Sequence, residues 1–498
     1  MSMKLKPVMF VGTCSDAGKS IINTAFCRIF RQDGYSPAPF KAQNMSLNSY
    51  STPEGGEIGR AQAVQAEACG LPPHTDMNPL LLKPTHNQSS QVVLNGKPVG
   101  NMTAKEYFTN SKTALLQEAL NAFRRLTSRH NPIVLEGAGS ISELNLRDKD
   151  ITNMRMAREV QAATYLVADI DRGGVFASVY GSVALLPPEE KALLKGIIIN
   201  KFRGDISLFE EGRKMLENLT GIPVVGVVPY FDDIHIEAED SVALNKKNTQ
   251  AVPGKINVAI VLLKCLSNFT DFDVLERDER FHLYYTDQPG EIAKADIIIL
   301  PGSKNTIADM QELRDSGVAE AIIQAYKTGK KVIGICGGYQ MLGISIDDPE
   351  GLEGERKTVA GLGLLPLQTV ITPKKVTEQR TFRFHNRQEV CRGYEIHMGR
   401  TVPLPGIPAC PLNHLENGEQ DGYRKDENCW GTYLHGILDN TSIRNALASG
   451  FNVRSGSSFD YTAFKEQQYN LLAAHVRSAV DMDYIYSTLY PDNQSLTL

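Results

Sequence analysis

The sequence has no Cys-x-x-Cys pair, no long basic tract and no apolar run that approaches the length of a membrane span. Its eight cysteines are scattered, which disfavours a zinc site or a disulfide framework and suits reduced thiols in a cytoplasm. The formal net charge of −5 comes without clustered lysines and arginines, so neither nucleic acid nor an anionic membrane is the expected partner. Any anionic substrate must therefore be held by local groups.

The composition and the amino terminus fit an ordinary globular enzyme. Of the 498 residues, 42% are hydrophobic and 22% are charged, and the length exceeds what one hydrophobic core usually organises. The opening run, MSMKLKPVMFVG, has two lysines and only a brief apolar stretch, so it predicts a first β-strand and not a signal peptide. We expect a cytoplasmic protein with two or three domains.

Short β-branched strands alternate with helical stretches in the first half of the chain. The strand candidates are PVMFVG, SPAPFKA, PIVLEGAG, ATYLVADI, KGIIINKF and IPVVGVVP. This alternation predicts an α/β domain with a parallel sheet covered on both faces. A second series, including KINVAIVLL, ADIIILPG, KKVIGICGG and NCWGTYLHGI, predicts another α/β domain whose later strands form hairpins.

Domain boundaries are expected where the chain turns polar and crosses a Pro-Gly pair, between Lys246 and Lys255. We place a first domain over residues 1–250, a second over 251–450, and a helical extension over 451–498. The helical pattern of this extension runs from about Ser458 through Tyr490, and we expect it to pack on the second domain.

A phosphate-binding loop is indicated by the run GTCSDAGKS between the first strand and a helix. Loop amides and the helix start would cradle the phosphates of ATP, with Gly12, Thr13 and Gly18 forming the loop. Lys19 would neutralise the β- and γ-phosphates, and Ser20 would bind Mg²⁺. Since Thr13 stands where glycine is common, the run resembles the GTxxxxGK[ST] loop of the dethiobiotin synthetase branch of P-loop enzymes. The alternative is an ordinary glycine-containing turn.

Two other strand ends support a nucleotide site. Glu136, in VLEGAGS, could hold Mg²⁺ directly or through water. Asn200 and Lys201, in IINKFRGD, resemble the Asn-Lys corner that recognises the base in nucleotide-binding P-loop folds. Each could instead be a simple cap, but together with the phosphate loop they point to the same site.

Polar and cationic residues at further strand ends predict a substrate site, because ligands of open α/β sheets bind there. Cations and amides of this kind bind carboxylates as point charges or as bidentate forks. A solvated surface is the alternative. The candidates are Lys41, Asn44, Arg60, Lys83 and Arg172.

Cys336 is the predicted nucleophile. It lies in VIGICGGYQML, where an apolar strand, a cysteine, Gly337, Gly338 and a helix start follow one another, and this order is typical of a nucleophile elbow. The glycines permit the sharp turn and let a carbonyl approach, and the helix start favours a thiolate. A small buried hydrophobic cysteine is the alternative.

The predicted base is His435 in GTYLHGI, since imidazole can take a thiol proton and return it to a leaving amine. The order of Cys336 and His435 resembles class I glutamine amidotransferases. That class usually has a glutamate two residues after the histidine, where this chain has Ile437, so we expect a dyad without an orienting carboxylate. The resemblance also implies that Gly302, in LPGSKNT, and Gly337 contribute to oxyanion and glutamine binding.

Motifs along almost the whole chain resemble one family. They are GTCSDAGKS, PFKAQNMSLNS, DIDRGGVFAS, INKFRGD, SNFTDFD, LPGSKNT, GICGGYQML, YEIHMG and YLHG. This set resembles the cobyric acid synthase family, in which a dethiobiotin-synthetase-like P-loop domain precedes a cobyrinate-type glutamine amidotransferase domain. The resemblance implies ATP- and glutamine-dependent amidation of the b, d, e and g carboxylates of adenosylcobyrinic acid a,c-diamide, and leaves open the roles of Asn268, Asp271 and His397.

The family chemistry predicts that the first domain forms an acyl phosphate while the second releases ammonia from glutamine. At neutral pH free ammonia is mostly non-nucleophilic ammonium, so we expect a shielded path between the domains. One rival is the sister amidase that acts on the a and c carboxylates of cobyrinic acid. Another is a P-loop ATPase switch of the partitioning type, fused to an inert amidotransferase-like domain.

Overall fold

Two sheets organise the part of the chain that the computed structural model describes, which is residues 4–86, 89–103, 106, 112–239, 244, 247–452 and 459–491. Each sheet is flanked by helices, as the α/β prediction requires. No helix within these ranges is both long and apolar enough to cross a bilayer. Lys246 and Ser458, where the predicted linker and the predicted helical extension begin, lie outside the described residues.

The first half of the chain alternates strands and helices. In chain order its elements are β1 (Val8–Gly12), α1 (Lys19–Gln32), β2 (Ala38–Phe40), β3 (Gln43–Met45), β4 (Ser49–Ser51), β5 (Glu57–Gly59), α2 (Arg60–Cys69), β6 (Leu80–His86), β7 (Ser89–Leu94), β8 (Lys97–Thr103), α3 (Lys112–Thr127), β9 (Ile133–Glu136), α4 (Met154–Val160), β10 (Ala163–Asp169), α5 (Val175–Ala184), α6 (Pro188–Lys191), β11 (Leu194–Phe202), α7 (Glu210–Thr220) and β12 (Val224–Pro229).

Its main sheet has six parallel strands in the order β12-β11-β10-β1-β9-β2. β1, β9 and β10 are buried along their whole length, which explains why they are continuously apolar. β9 pairs with one edge of β1 and β10 with the other, so the carboxyl ends of these strands meet at the centre of the sheet. That crevice is where open α/β sheets bind ligands.

The second half builds another sheet and a long hairpin. In chain order its elements are β13 (Ile256–Val261), β14 (Leu266–Ser267), α8 (Asp273–Arg277), β15 (Phe281–Thr286), α9 (Pro289–Ile292), β16 (Ile297–Leu300), β17 (Gly302–Ser303), α10 (Thr306–Asp315), α11 (Val318–Lys327), β18 (Lys331–Ile335), α12 (Gly337–Met341), β19 (Ser345–Asp347), β20 (Thr358–Ala360), β21 (Leu367–Phe384), β22 (Val390–Pro403), β23 (Asn413–Leu415), β24 (Gln420–Asp421), β25 (Tyr423–Arg424), β26 (Cys429–Thr432), β27 (Leu434–His435), α13 (Thr441–Ala448), α14 (Tyr461–Ala479) and α15 (Met482–Leu489).

The sheet of this half runs β15-β13-β16-β18-β26-β25, and only the β25–β26 pair is antiparallel. β18 is central, so Cys336 directly after it lies at the carboxyl edge of the sheet. The antiparallel β21–β22 hairpin belongs to a separate mixed sheet, in which β19 pairs with β21 in parallel and β22 pairs with β27. This pairing fixes Tyr394 opposite His435.

The C-terminal helices lie mainly on the first domain, so the expectation that they pack on the second is wrong. Tyr469, Leu472 and Val476 belong to the same buried cluster as Ile22 and Phe26 of α1. The apolar stripe of α14 is therefore satisfied by α1, although Tyr461 at its start joins the core of the second domain. Periodicity showed that this helix has an apolar face but did not show which domain covers it.

Two adjacent leucines of α14 test this packing. Leu472 is fully buried, whereas Leu471 is 42% exposed. We expect Leu472→Ala to lower the free energy of unfolding by about 3 kcal/mol, because it leaves a cavity against α1. Leu471→Ala should change it by less than about 0.5 kcal/mol. Denaturant unfolding followed by circular dichroism measures both, and equal effects would contradict the assignment of the helix.

Candidate active sites

The nucleophile elbow predicted at Cys336 is present. The residue has φ 52° and ψ −109°, a conformation that costs a non-glycine residue about 1–3 kcal/mol and holds its side chain at the turn. A Cβ on Gly338 would lie 1.9 Å from the carbonyl oxygen of Leu300, so only glycine lets the turn close against β16. Cys336 Sγ contacts the carbonyl oxygen of Ile396 at 3.5 Å, on the neighbouring hairpin.

His435 has an orienting carboxylate after all, which corrects the expectation of a dyad. Asp271 Oδ2 lies 2.6 Å from His435 Nδ1, and Asp271 Oδ1 accepts a hydrogen bond of 3.1 Å from the amide of Gly436. Asp271 thus takes the place that a glutamate at position 437 would have. The sequence analysis left the role of Asp271 open, because this residue comes 164 residues before the histidine and only the fold brings the two together.

The charge of His435 follows from these contacts. Burial alone would lower its pKa, but the neighbouring Asp271 and Cys336 together raise the pKa to about 10. The imidazole is therefore protonated at neutral pH. A protonated imidazole beside sulfur stabilises a thiolate and can give its proton to a departing amine.

His397, whose role was left open, lies in the wall of the same cavity. Its ring stacks on Tyr433 with centroids 3.7 Å apart, and its Nδ1 lies 2.9 Å from the carbonyl oxygen of Gly399. Burial lowers its pKa to about 4, so the ring is neutral at physiological pH. These contacts indicate that His397 packs in the cavity wall as a neutral ring, whereas His435 is the protonated histidine of the site.

The cavity around Cys336 and His435 has a volume of about 60 Å³ and is lined from both halves of the chain. Lys83 comes from the first domain, and Asn268, Ser303 and Lys304 come from the second. The size and the convergent polar groups suit a small polar molecule.

Gly302 and Gly337 lie where the predicted oxyanion site needs close backbone approach. A Cβ on Gly302 would be 3.3 Å from His435 Cε1, and one on Gly337 would be 2.7 Å from the amide nitrogen of Ser303. Gly302 therefore lies close to His435, and Gly337 packs against Ser303, the residue that follows Gly302. Oxyanion binding by these glycines remains a prediction.

The phosphate loop follows β1 as predicted. Lys19 Nζ donates to the carbonyl oxygens of Cys14 and Gly139, at 3.0 and 2.9 Å, and so lies over the loop. Burial lowers the pKa of Lys19, with nearby Glu136 acting in the opposite direction. Gly18 has φ 97°, and a Cβ there would lie 2.0 Å from Asn200 Nδ2, so both the turn and its neighbour require glycine.

Oxygen donors converge at the start of α1. Ser20 Oγ donates to Glu136 Oε1 at 2.9 Å and to Glu239 Oε2 at 3.2 Å. Lys41 Nζ binds the same two carboxylates at 2.8 and 3.3 Å. A hydroxyl and two carboxylates beside a phosphate loop are the hard oxygen ligands that Mg²⁺ prefers, so the residues fit this ion. Glu239 was not among the predicted ligands, since nothing local marks it.

Comparison with known proteins adds the family. Residues 8–242 match the CobQ/CobB/MinD/ParA nucleotide binding domain, and residues 257–443 match the CobB/CobQ-like glutamine amidotransferase domain. A cobyric acid synthase from Parabacteroides distasonis is 66% identical over 98% of this chain and 100% of its own length. Those from Bacteroides fragilis and Syntrophobacter fumaroxidans are 62% and 46% identical, over 98% and 97% of this chain and 99% and 98% of theirs.

The chain belongs to the cobyric acid synthase family. It is therefore a glutamine-hydrolysing amidoligase of cobalamin biosynthesis, with a nucleotide-binding domain and a glutamine amidotransferase domain. The family, fold class and enzyme type predicted from the sequence are confirmed.

The residues predicted to bind substrate do not surround one cavity in this cobyric acid synthase family member. Lys41 binds Glu136, Arg60 Nε donates to Glu237 at 2.7 Å, and Lys83 Nζ lies 2.6 Å from Glu57. These three cations are buried and neutralise internal carboxylates in this structure, and substrate binding by them remains a prediction. Asn44 donates to Gln62 at 2.8 Å inside the protein. Arg172 remains exposed, 3.0 Å from Asp16.

Asn200 and Lys201 lie against the phosphate loop. Asn200 Nδ2 donates to the carbonyl oxygen of Ala17 at 2.9 Å, and Lys201 Nζ lies 2.7 Å from Asp169 Oδ2. Lys201 Nζ also donates to the carbonyl oxygen of Asp16 in the loop at 2.5 Å, so both residues hold the loop to the adjacent strand ends. Base recognition by this pair remains a prediction.

Asp271→Asn tests the orienting carboxylate. The change keeps the size of the side chain but removes the charge that holds the imidazole protonated and in place. We expect kcat for glutamine hydrolysis to fall by about 10²–10⁴-fold with little change in KM. Amidation with added ammonium salt should be unchanged. Asp273→Asn is a matched control, because Asp273 lies in the next turn and faces Lys247 instead; equal losses in both variants would contradict the role of Asp271.

The raised pKa of His435 predicts a pH-dependent stability. Since its pKa rises from 6.5 to about 10 on folding, the stabilisation is fully present below 6.5 and is lost as the pH rises through about 10. The difference in unfolding free energy between the wild type and Asp271→Asn should therefore be larger at about pH 6 than at about pH 10. Urea unfolding at both pH values measures it, and a difference that does not change with pH would count against the charged pair.

Proposed function

We propose that this enzyme amidates the b, d, e and g carboxylates of adenosylcobyrinic acid a,c-diamide to give adenosylcobyric acid, using ATP, Mg²⁺ and glutamine. The observation that carries the proposal is that one chain holds both an oriented Cys336–His435–Asp271 group and a phosphate loop with converging oxygen donors. The names of its relatives supply the corrinoid. We also propose that the protein works in the cytoplasm, as the sequence predicts.

In the second domain, Cys336 Sγ attacks the carboxamide carbon of glutamine. His435 gives its proton to the departing nitrogen, so that ammonia leaves and a thioester remains. Water then hydrolyses the thioester to glutamate and restores the thiol. Asp271 orients the imidazole ring throughout and stabilises its positive charge whenever the ring is protonated, and the backbone at Gly302 and Gly337 lies near the carbonyl on which the oxyanion forms.

In the first domain, a corrinoid carboxylate oxygen takes the γ-phosphoryl group of ATP, which gives an acyl phosphate and ADP. Ammonia then displaces phosphate and forms the amide. Lys19 and the loop amides stabilise the charge on the phosphates. Ser20 and Glu136, with Glu239 beside them, would hold Mg²⁺, which supplies neutralisation of phosphate charge when bound.

A cavity of about 350 Å³ beside the phosphate loop suits the carboxylate arms of the corrinoid. Ser15 and Ser140 line its end near the loop, and Arg147 and Arg155 line it further out. Arginine is well suited to carboxylates because its guanidinium group can donate two parallel hydrogen bonds. We place the carboxylate acceptor in this cavity, which is not lined by the buried cations Lys41, Arg60 and Lys83. An open cleft would also allow release between successive amidations.

Cys336→Ala tests the proposal. We expect loss of glutamine-driven amidation by more than about 10³-fold, because the nucleophile is gone, with retention of ammonium-driven amidation. Lys19→Met should abolish both, because it removes charge from the phosphate loop. Product amide and ADP are assayed with cobyrinic acid and with its a,c-diamide. Preference for cobyrinic acid would support the sister amidase, and absence of amidation from either corrinoid and either nitrogen source would support a nucleotide switch.

A further inference from the structure

The two reactions occur in different domains, yet the wall of the Cys336 cavity reaches the first domain at Ser49. Lys83, which lines the cavity, donates to Ser49 Oγ at 2.9 Å. Asn268, which also lines it, donates to the carbonyl oxygen of Ser49 at 3.0 Å. Ser49 is therefore where the glutamine cavity meets the interior of the ATP-dependent domain.

A row of buried amide side chains continues inward from this point. Asn48, next to Ser49, accepts a hydrogen bond of 3.0 Å at its carbonyl oxygen from the amide of Arg60, which begins α2. On α2, Gln62 accepts from Asn44 at 2.8 Å, and Gln65 donates to Glu136 Oε2 at 2.5 Å. Glu136 in turn binds Ser20 of the phosphate loop. We call Asn44, Asn48, Gln62 and Gln65 the amide row.

The amide row is unusual because its side chains are buried and three of their polar atoms are unpaired within the described residues. Glutamine is mostly exposed in proteins, but Gln62 and Gln65 are both fully buried on one face of the same helix. Among the residues that the structure describes, none hydrogen-bonds with Asn48 Oδ1, Gln62 Nε2 or Gln65 Oε1. Leaving a buried polar atom unpaired costs about 1–3 kcal/mol, so three such atoms on α2 and the segment bonded to its start favour a transient ligand that pairs with them.

We propose that the amide row is the passage by which ammonia moves from Cys336 to the acyl phosphate. Ammonia has three N–H donors and one lone pair, which match the two open acceptors, Asn48 Oδ1 and Gln65 Oε1, and the open donor, Gln62 Nε2. Amides neither give nor take protons at neutral pH, so ammonia stays in its nucleophilic form. The cation Lys83 along this line is already paired with Glu57.

Gly59 supports this arrangement. A Cβ at Gly59 would lie 2.4 Å from Asn44 Nδ2 and 3.0 Å from Gln62 Oε1. The glycine thus leaves room for two members of the amide row at the start of α2. The inference rests on the proposed function, since it needs an acyl phosphate that consumes the ammonia.

Gln62→Met tests the passage, because methionine nearly keeps the volume and removes both polar atoms. Glutamate and product amide are measured with glutamine, and product amide is measured again with saturating ammonium chloride. The wild type should form them in near-equal amounts. In Gln62→Met, loss of one hydrogen-bonding step should leave an excess of glutamate of about tenfold, with the ammonium-driven rate unchanged. Gln468→Met, at a buried amide of α14, is the matched control and should remain coupled.

Asn48→Ala provides a second position should Gln62→Met fold poorly, and it should uncouple in the same way. Near-equal glutamate and amide in a folded variant at either position would overturn the passage while leaving the proposed function intact. So would a parallel loss of the glutamine-driven and ammonium-driven activities, which indicates a structural role. A wild type that amidates no corrinoid with either nitrogen source would overturn the proposed function itself, and the passage with it.

Discussion

The hydrogen bond from Asn268 Nδ2 to the carbonyl oxygen of Ser49 joins the two domains of the enzyme at the wall of the glutamine cavity. Asn268 has φ 53° and begins the 3₁₀ turn Phe269–Phe272, which contains Asp271. The same short turn therefore docks the glutamine-hydrolysing domain and orients its histidine. Both groups of the bond are buried, so breaking it would leave a donor and an acceptor without water.

Buried charge strengthens this junction. Glu57 of the first domain binds Lys83 of its own domain and Lys375 of the second. Burial alone would raise the pKa of Glu57, but the two lysines hold it well below its usual range. Removing one partner of such a group is costly, because an uncompensated charge stays in the interior, at about 3–5 kcal/mol. The junction is thus specified by groups that tolerate little displacement, which keeps the two sites in a fixed relation.

Sequence patterns were sufficient to predict the features that are formed by residues close together in the chain. The strand, turn and glycine order gave the elbow at Cys336 and the phosphate loop, since each motif is one strand followed by one tight turn. The alternation of apolar strands with helices predicted both sheets. The four-stranded sheet β3-β6-β7-β8 was not predicted, because its polar strands resemble ligand-binding loops.

Pairings across long separations could not be predicted in this way. Asp271 reaches His435 and Glu239 reaches Ser20 only through the fold. The carboxylate partners of Lys41 and Lys83 could not be predicted for the same reason: a lysine at a strand end looks the same in sequence whether it faces a ligand or an internal carboxylate. Family resemblance supplied the function, but it did not supply the partner of each charge.

The central claim is that nitrogen released at Cys336 reaches the acyl phosphate without mixing with solvent. The most direct measurement supplies the enzyme with glutamine labelled with ¹⁵N in its side-chain amide, together with excess unlabelled ammonium chloride, and follows the label in the corrinoid amides by mass spectrometry. The account predicts amides that carry almost entirely ¹⁵N. Label diluted to the proportion present in the bulk ammonium pool would contradict it.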